Sequence, residues 1–114
     1  SDIPHFRRFV MQNGYQIIQE EMILEEGKFY PIMKAVQYEG EGSAVWSREE
    51  EMFGRLLLER KHPVLKLYLE RELRIRSEIS EQLESASGDA AKKRRMEVEE
   101  EKQLILTALK RYES

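Results

Sequence analysis

The sequence of 114 residues contains no cysteine, which excludes disulfide bonds and metal sites that use thiolate ligands. It has only two histidines, His5 and His62, far apart in the chain, and no EF-hand or HExxH spacing, so no metal site is predicted. No apolar run approaches the roughly 20 residues that a membrane-spanning helix needs. The first residues also lack the basic and apolar segments of a secretory signal. From these absences we expect a cytoplasmic protein without membrane contact.

The chain also lacks a large excess of basic over acidic residues or of acidic over basic ones. The net charge of −3 provides no global basic field to recruit nucleic acid. The chain is long enough for one domain with a modest core, and hardly for two. Residues 1–46 carry 4 Lys and Arg against 7 Asp and Glu, whereas residues 47–114 carry 15 of each. This split places a boundary near Val45.

Two predicted strands are the most informative feature that is present. The segments Tyr15–Leu24 and Phe29–Tyr38 flank a turn at Glu25–Lys28, where Gly27 supplies the left-handed conformation of a tight hairpin. Both strands are apolar on both faces, which is typical of a covered sheet, and Pro31 marks an edge, a bulge or a strand start. A lone hairpin is at best marginally stable, and no other clear strand follows. We expect the partner strands to lie outside this chain, or copies of the chain to pair through open strand edges.

A short helix is predicted before the hairpin and a linker after it. The helix covers Ser1–Asn13, with Ser1 or Asp2 as its N-cap. Its apolar face comprises Phe6, Phe9 and Val10, with Arg7 and Arg8 pointing elsewhere. The linker Glu39–Val45 is rich in glycine and acidic residues, and it is the best domain boundary in the chain.

The rest of the chain has a helical pattern. Ser47 and Glu50 form a predicted capping box, and one helix with the apolar stripe Met52, Phe53, Leu56 and Leu57 leads to a bend at His62-Pro63. Two long helices follow, Pro63–Ser85 and Ala90–Tyr112, the second capped by Asp89. The short loop between them predicts an antiparallel hairpin, and apolar spacings of three and four resemble a coiled coil. The predicted fold class is therefore α+β: a helix and β-hairpin in residues 1–45, then an antiparallel, coiled-coil-like helical domain in residues 46–114.

Basic clusters are the candidate binding residues. The sharpest is Lys92, Lys93, Arg94 and Arg95, near a helix N-terminus, where cations are electrostatically unfavourable and an anionic ligand would stabilise them. Solvation and an Arg95–Glu99 pair explain the same cluster equally well. A second cluster at the helical bend comprises Arg55, Arg60, Lys61 and His62. Arg71, Arg74 and Arg76 follow, and pairing within the helix is favoured for them. No nucleophile–base pair is recognised, so no catalytic residue is predicted.

The order of these elements carries a family resemblance. A strand, a Glu26-Gly27-Lys28-Phe29-Tyr30 turn, a second strand, a linker and then Phe53-Gly54-x-Leu56-Leu57 precede a helical hairpin. This order resembles the C-terminal part of the bacterial tRNA (adenine-N1)-methyltransferases that modify a D-loop adenine. Further matching positions are Arg7-Arg8, Asn13-Gly14-Tyr15, Glu20-Glu21, Glu51, Tyr68-Leu69-Glu70 and Glu72-Leu73. The resemblance runs to about Leu83, and Pro31 and Lys92–Arg95 depart from the family pattern.

The resemblance implies a C-terminal fragment of a longer enzyme. A class I S-adenosylmethionine-binding domain would precede it, the hairpin would close that domain's sheet, and cofactor-binding residues would lie upstream. The helical domain would bind tRNA through Lys92–Arg95 and through Arg55, Arg60 and Lys61. Lys28 would lie at the carboxyl end of the last parallel strand, on the ligand side of an open α/β sheet, although a solvated turn lysine is the favoured interpretation. The alternative is a helical protein–protein or dimerisation module with no RNA role, which the net-neutral helical part favours.

Overall fold

The computed structural model describes residues 3–40 and 45–114, and over these ranges the chain has an α+β fold. The predicted N-caps Ser1 and Asp2 and most of the linker fall outside the described residues. The elements, in order, are α1 Ile3–Gln12, β1 Tyr15–Glu25, β2 Lys28–Gln37, α2 Arg48–Phe53, α3 Arg55–Glu59, α4 Pro63–Glu84, α5 Asp89–Lys110 and a final 3-10 turn Arg111–Glu113. None of the helices in these ranges is both long and apolar enough to cross a membrane.

The β-hairpin is confirmed. Strands β1 and β2 are antiparallel, and Glu25 pairs with Lys28 around the two-residue loop Glu26-Gly27. Both loop residues have positive φ, 50° and 78°, as the tight primed turn requires. A bulge lies between Ile17 and Gln19, not at Pro31. Because bonded pairs alternate along an antiparallel ladder from the closing pair, the nitrogen of Pro31 faces the open edge of β2, where no donor is needed.

The two faces of the hairpin have different environments. Ile17 and Met22 on β1 are buried against the helices. On the other face, four large apolar side chains are 45–49% exposed: Ile18, Ile23, Tyr30 and Ile32. These exposures show that the described residues leave this apolar face largely uncovered, and within the same ranges the sheet has only two strands.

The helices α1 and α2 depart from the prediction. In α1 the buried residues are Arg7 and Val10, whereas Phe6 and Phe9 are 49% and 62% exposed, so the predicted apolar face is wrong for both phenylalanines. The single helix predicted around Phe53 and Leu57 is broken into α2 and α3 at Gly54, which has φ +105°. The capping box is confirmed: the Glu50 amide donates to Ser47 Oγ, and the Ser47 amide donates to Glu50 Oε1 at 2.8 Å.

Two apolar clusters hold these elements together. In the smaller one Trp46 packs with Val10 and Ile17, so the start of the helical part contacts both α1 and β1. The larger cluster joins β1, α2, α3, the first half of α4 and the last half of α5. Its buried members are Met22, Phe53, Leu57, Leu58, Leu65, Leu69, Ile105 and Ala108. The distal parts of α4 and α5, Arg76 to Glu101 with their connecting loop, extend beyond this core and are called the arm below.

The arm is an antiparallel helical hairpin, as predicted. Across it, residue numbers rise along α4 as those of their partners fall along α5: Arg76–Glu101 at 3.4 Å, Ser80–Glu99 at 2.8 Å and Glu84–Arg95 at 2.9 Å. The predicted N-cap Asp89 is wrong, because Gly88, at φ +108°, occupies the cap and Asp89 is the first helical residue. A carboxylate in that first turn still complements the helix dipole. Coiled-coil packing of α4 with α5 stays a prediction.

Candidate functional site

A buried ion pair fixes the framework around the candidate site. The Arg7 and Glu20 side chains are 1% and 0% exposed, and Arg7 Nε donates to Glu20 Oε2 at 2.9 Å. Arg7 Nη1 also donates to the carbonyls of Glu51 and Met52, at 2.9 and 2.8 Å, and the Leu56 amide donates to Glu20 Oε1 at 3.0 Å. Burial lowers the pKa of Arg7, and the attraction of Glu20 opposes that shift. The pair thereby joins α1, β1, α2 and α3.

The helix break at Gly54 makes room for this pair. A Cβ at position 54 would lie 2.7 Å from Glu20 Oε2 and 3.0 Å from Arg7 Nη2. The positive φ at this position is also one that side chains of L-residues rarely adopt. Gly54 therefore meets two requirements at once, a backbone turn and a close approach to the buried charges.

The bend between α3 and α4 is attached to β1 through Arg60 and His62. Arg60 Nη2 donates to the Glu20 carbonyl at 2.7 Å and pairs with Glu21 at 3.2 Å. His62 Nδ1 accepts from the Val64 amide, which leaves Nε2 to donate to Glu21 Oε1 at 3.0 Å. Hydrogen bonds from Arg60 and then from His62 lower the pKa of Glu21. Arg60 is thus engaged in structure at the position where the sequence predicted RNA contact.

A cleft of about 430 Å³ opens at the turn end of the hairpin, between α1, β2 and α4. In its wall the rings of Phe29 and Tyr68 meet edge to face with centroids 5.3 Å apart. The Arg71 guanidinium carbon lies 4.6 Å from the Phe29 centroid and 5.6 Å from that of Tyr68. Burial, and then the charge of Glu72, raise the pKa of Tyr68. The arrangement is a cation held against aromatic rings in a partly open cleft.

Sequence reasoning named Phe29 as a possible pocket wall, with sheet core as the favoured interpretation, but it did not bring Phe29, Tyr68 and Arg71 together. It assigned Arg71 mainly to pairing within its helix, but the structure places Arg71 across from β2, and its ion pair with Glu72 is 3.4 Å long. The sequence signals were an aromatic–basic pair three residues apart, Tyr68 and Arg71, and an aromatic residue just after the turn, Phe29. Only the tertiary fold shows that these residues meet.

The four residues of the predicted basic cluster, Lys92 to Arg95, divide into two paired and two unpaired. Arg94 lies 3.3 Å from Glu97, and Arg95 pairs with Glu84 on α4 instead of the predicted Glu99. Lys92 and Lys93 are exposed and have no ion pair to any residue in the described ranges. The two lysines are therefore the cations of this cluster with the fewest competing internal contacts.

The remaining predicted binding residues lie on the body of the molecule. Arg55 pairs with Glu59 at 2.9 Å. Lys61 is exposed at the bend with φ 50°, and Lys28 is exposed at the hairpin turn. The structure therefore places the eight predicted residues in separate groups, on the arm, at the bend and at the turn. Whether they contact RNA stays a prediction.

Among residues 3–40 and 45–114, no glycine-rich turn joins a parallel strand to a helix, the arrangement that binds nucleotide-type cofactors. Here β1 runs into a hairpin, and the Gly40-Glu41-Gly42 sequence after β2 lies partly outside the described ranges. The ring of Tyr38 already fills the space in which a side chain of residue 40 would lie. A second cavity, of about 650 Å³, borders the same linker, and we assign no ligand to it. No group of three or more potential metal ligands occurs among residues 3–40 and 45–114.

Comparison with known proteins gives a consistent result. The family described as TrmK, tRNA (adenine(22)-N(1))-methyltransferase, matches residues 1–107. A Listeria monocytogenes serotype 4b protein structure is 22% identical with a TM-score of 0.84, covering 94% of this chain and 46% of that one. The Bacillus subtilis tRNA methyltransferase TrmK is 21% identical with a TM-score of 0.77, covering 93% and 47%. The Streptococcus pneumoniae protein Sp1610, solved with S-adenosyl-L-methionine, is 26% identical with a TM-score of 0.68, covering 96% and 44%.

These matches confirm the resemblance seen in the sequence. The chain spans less than half the length of each of the three solved structures. It has no significant match among curated protein sequences.

Proposed function

The chain belongs to the tRNA (adenine(22)-N(1))-methyltransferase family, and from this premise we propose that it is the tRNA-binding C-terminal part of an S-adenosylmethionine-dependent adenine-N1 methyltransferase. The observation that carries the proposal is the match over residues 1–107 to a family whose solved members are about twice as long. In this proposal residues 1–45 close the sheet of the catalytic domain, and residues 46–114 form the helical domain. The enzyme would act in the cytoplasm, where tRNA is found.

The uncovered face of the hairpin supports the proposal that residues 1–45 close the sheet of a catalytic domain. Ile18, Ile23, Tyr30 and Ile32 form an apolar surface on the face of the two-stranded sheet opposite Ile17 and Met22, and strands or helices packed over it would remove that apolar area from water. We propose that the upstream methyltransferase domain supplies them. Methyl transfer would then take place on residues outside this chain, while the chain positions the tRNA.

The arm is suited to bind a large RNA at a distance from the reacting base. Lys92 and Lys93 lie on its projecting part, exposed and without an internal ion pair in the described ranges. Phosphate contacts by such lysines are independent of sequence and release counterions, so they make affinity depend on salt. Cations are unfavourable near the N-terminus of a helix, and a bound phosphate would stabilise the two lysine charges there.

Replacing both Lys92 and Lys93 with alanine tests the arm. We expect tRNA binding to weaken roughly tenfold at about 50 mM salt, and the slope of log K against log salt to decrease in magnitude by about 1.5 to 2. Fluorescence anisotropy with a labelled tRNA transcript over a salt series measures both quantities.

The matched control replaces Arg94 and Arg95, which are adjacent but already paired with Glu97 and Glu84. The control is expected to weaken binding only about twofold, because those guanidinium groups are partly neutralised by their partners. An effect of the lysine variant no larger than that of the arginine variant would contradict the assignment.

A second candidate function is a helical-hairpin module for protein–protein contact or dimerisation. It is favoured by exposed apolar side chains on the long helices, Leu67 at 51% and Met96 at 67%. This alternative predicts a chain without salt-dependent tRNA affinity.

A further inference from the structure

We infer that Arg71, whose guanidinium lies over the Phe29 ring at the turn end of the hairpin, binds a backbone phosphate of the RNA. The inference rests on the proposed function and names a contact within it. It concerns a residue that lies on the body of the molecule and not among the basic residues of the arm.

The first argument is how the guanidinium of Arg71 is held. Its Nη1 lies 3.4 Å from the Gly27 carbonyl and its Nη2 lies 3.4 Å from a Glu72 oxygen, both long for a hydrogen bond. Its Nε is buried and has no hydrogen-bond partner among the described residues. A guanidinium has five N–H donors, and a buried donor without an acceptor costs free energy. The buried Nε is not accessible to a ligand, but Nη1 and Nη2 make only these long contacts, so they have donor capacity that the described part of the chain does not satisfy.

The second argument is preorganisation. The Phe29 ring, with its centroid 4.6 Å from the guanidinium carbon, restrains the position of the group through a cation–π contact. A planar guanidinium matches the two oxygens of a phosphate in a bidentate geometry, and a side chain already restrained in this way has less entropy to lose on binding. The side chain is 37% exposed, so a ligand can reach it.

The third argument is the charge of the surroundings, which suits an RNA strand better than a single small anion. Lys28 follows Gly27 in the turn, and Arg74 lies almost one helical turn beyond Arg71. Both are exposed and have no ion pair within the described ranges. The acidic residues Glu26 and Glu72 are close by, so a free phosphate ion would meet both signs of charge. An RNA backbone, by contrast, presents successive phosphates that can contact several of the cations at once.

The location agrees with the proposed enzyme. The turn Glu26-Gly27 follows the carboxyl end of β1, and the cleft is also lined by Ile3 and Pro4 at the start of α1. In open α/β sheets ligands bind beyond the carboxyl ends of the parallel strands. A phosphate on Arg71 would therefore lie on the side of the sheet at which the target nucleotide must arrive.

Two variants of Arg71 test the inference, each compared with Arg8→Ala, which removes an exposed arginine elsewhere on the surface. Binding of a labelled tRNA transcript is measured over a salt series, and far-UV circular dichroism checks the fold. For Arg71→Ala we expect about fivefold weaker binding and a salt slope smaller in magnitude by about 0.7 to 0.9. For Arg71→Lys we expect an unchanged slope and about threefold weaker binding, since an ammonium keeps the charge but not the bidentate fork.

The outcomes separate the inference from the function on which it rests. If the wild-type chain binds tRNA and Arg71→Ala binds as tightly as Arg8→Ala, the inference is overturned while the proposed function stands. If the wild-type chain does not bind tRNA even at low salt, both the proposed function and the inference are wrong. Should Arg71→Ala not fold, the lysine variant decides, and wild-type affinity for Arg71→Lys would overturn the inference.

Discussion

Replacing Glu20 with alanine is expected to lower the free energy of unfolding of the chain by about 3 to 5 kcal/mol, the usual cost of removing one partner from a buried ion pair. The substitution leaves the Arg7 charge in a site that is 1% exposed, and it leaves the Leu56 amide without its acceptor. Because the free energy of unfolding of a small domain is only about 5 to 15 kcal/mol in total, the variant would lose a large part of its stability. Urea unfolding followed by circular dichroism measures the effect.

Two further variants make this expectation specific to burial. Arg8→Ala breaks an exposed pair with Glu51, in which the arginine side chain is 50% exposed, and should cost about 0 to 1 kcal/mol. The double variant Arg7→Met with Glu20→Leu should lose less than the sum of the two single losses, because no uncompensated charge remains. A loss for Glu20→Ala as small as that for Arg8→Ala would show that the pair does not organise the fold.

Gly54→Ala is expected to destabilise the chain by about 3 kcal/mol or more, from backbone strain together with displacement of the buried pair. At φ +105° an alanine is strained, and its methyl group would lie 2.7 Å from Glu20 Oε2. The Glu20 side chain is fully buried, so it cannot move away into solvent. The α2–α3 break and the Arg7 contacts to the α2 carbonyls should both be disturbed. The same urea titration gives the change in free energy of unfolding.

Gly27→Ala is the matched control for this substitution. Gly27 also has a positive φ, +78°, but a Cβ there would meet nothing within 4 Å. It should cost only about 1 kcal/mol, the penalty for a left-handed residue in an exposed turn. If Gly54→Ala proves no more costly than Gly27→Ala, close approach to Glu20 is not what requires glycine at position 54.

Features determined by neighbouring residues were predictable from the sequence. The Glu26-Gly27 turn, the Ser47–Glu50 capping box and the bend before Pro63 each depend on residues within a few positions of one another, and the structure confirms them. The antiparallel course of α4 and α5 follows from a loop too short to allow another arrangement. Periodicity and turn chemistry contain this information directly.

Features determined by distant residues were not predictable in this way. Arg7 is buried because Glu20 and two α2 carbonyls meet it from far along the chain, and a charged residue in a helical pattern gives no sign of that. The break at Gly54 has the same origin. Arg71 was assigned to its own helix because its contact with Phe29 crosses more than forty positions. For the candidate site, therefore, the sequence located the basic residues, but only the fold showed which of them form ion pairs and which do not.

Binding of a tRNA transcript by the wild-type chain, measured by anisotropy from low to physiological salt, tests the central claim most directly. The account predicts measurable affinity that falls linearly in log K against log salt with a slope of about −2 to −3, as expected for Lys92, Lys93 and Arg71 each contacting a phosphate. Absence of affinity at the lowest salt, with a chain shown to be folded, would contradict it and favour the protein–protein module instead.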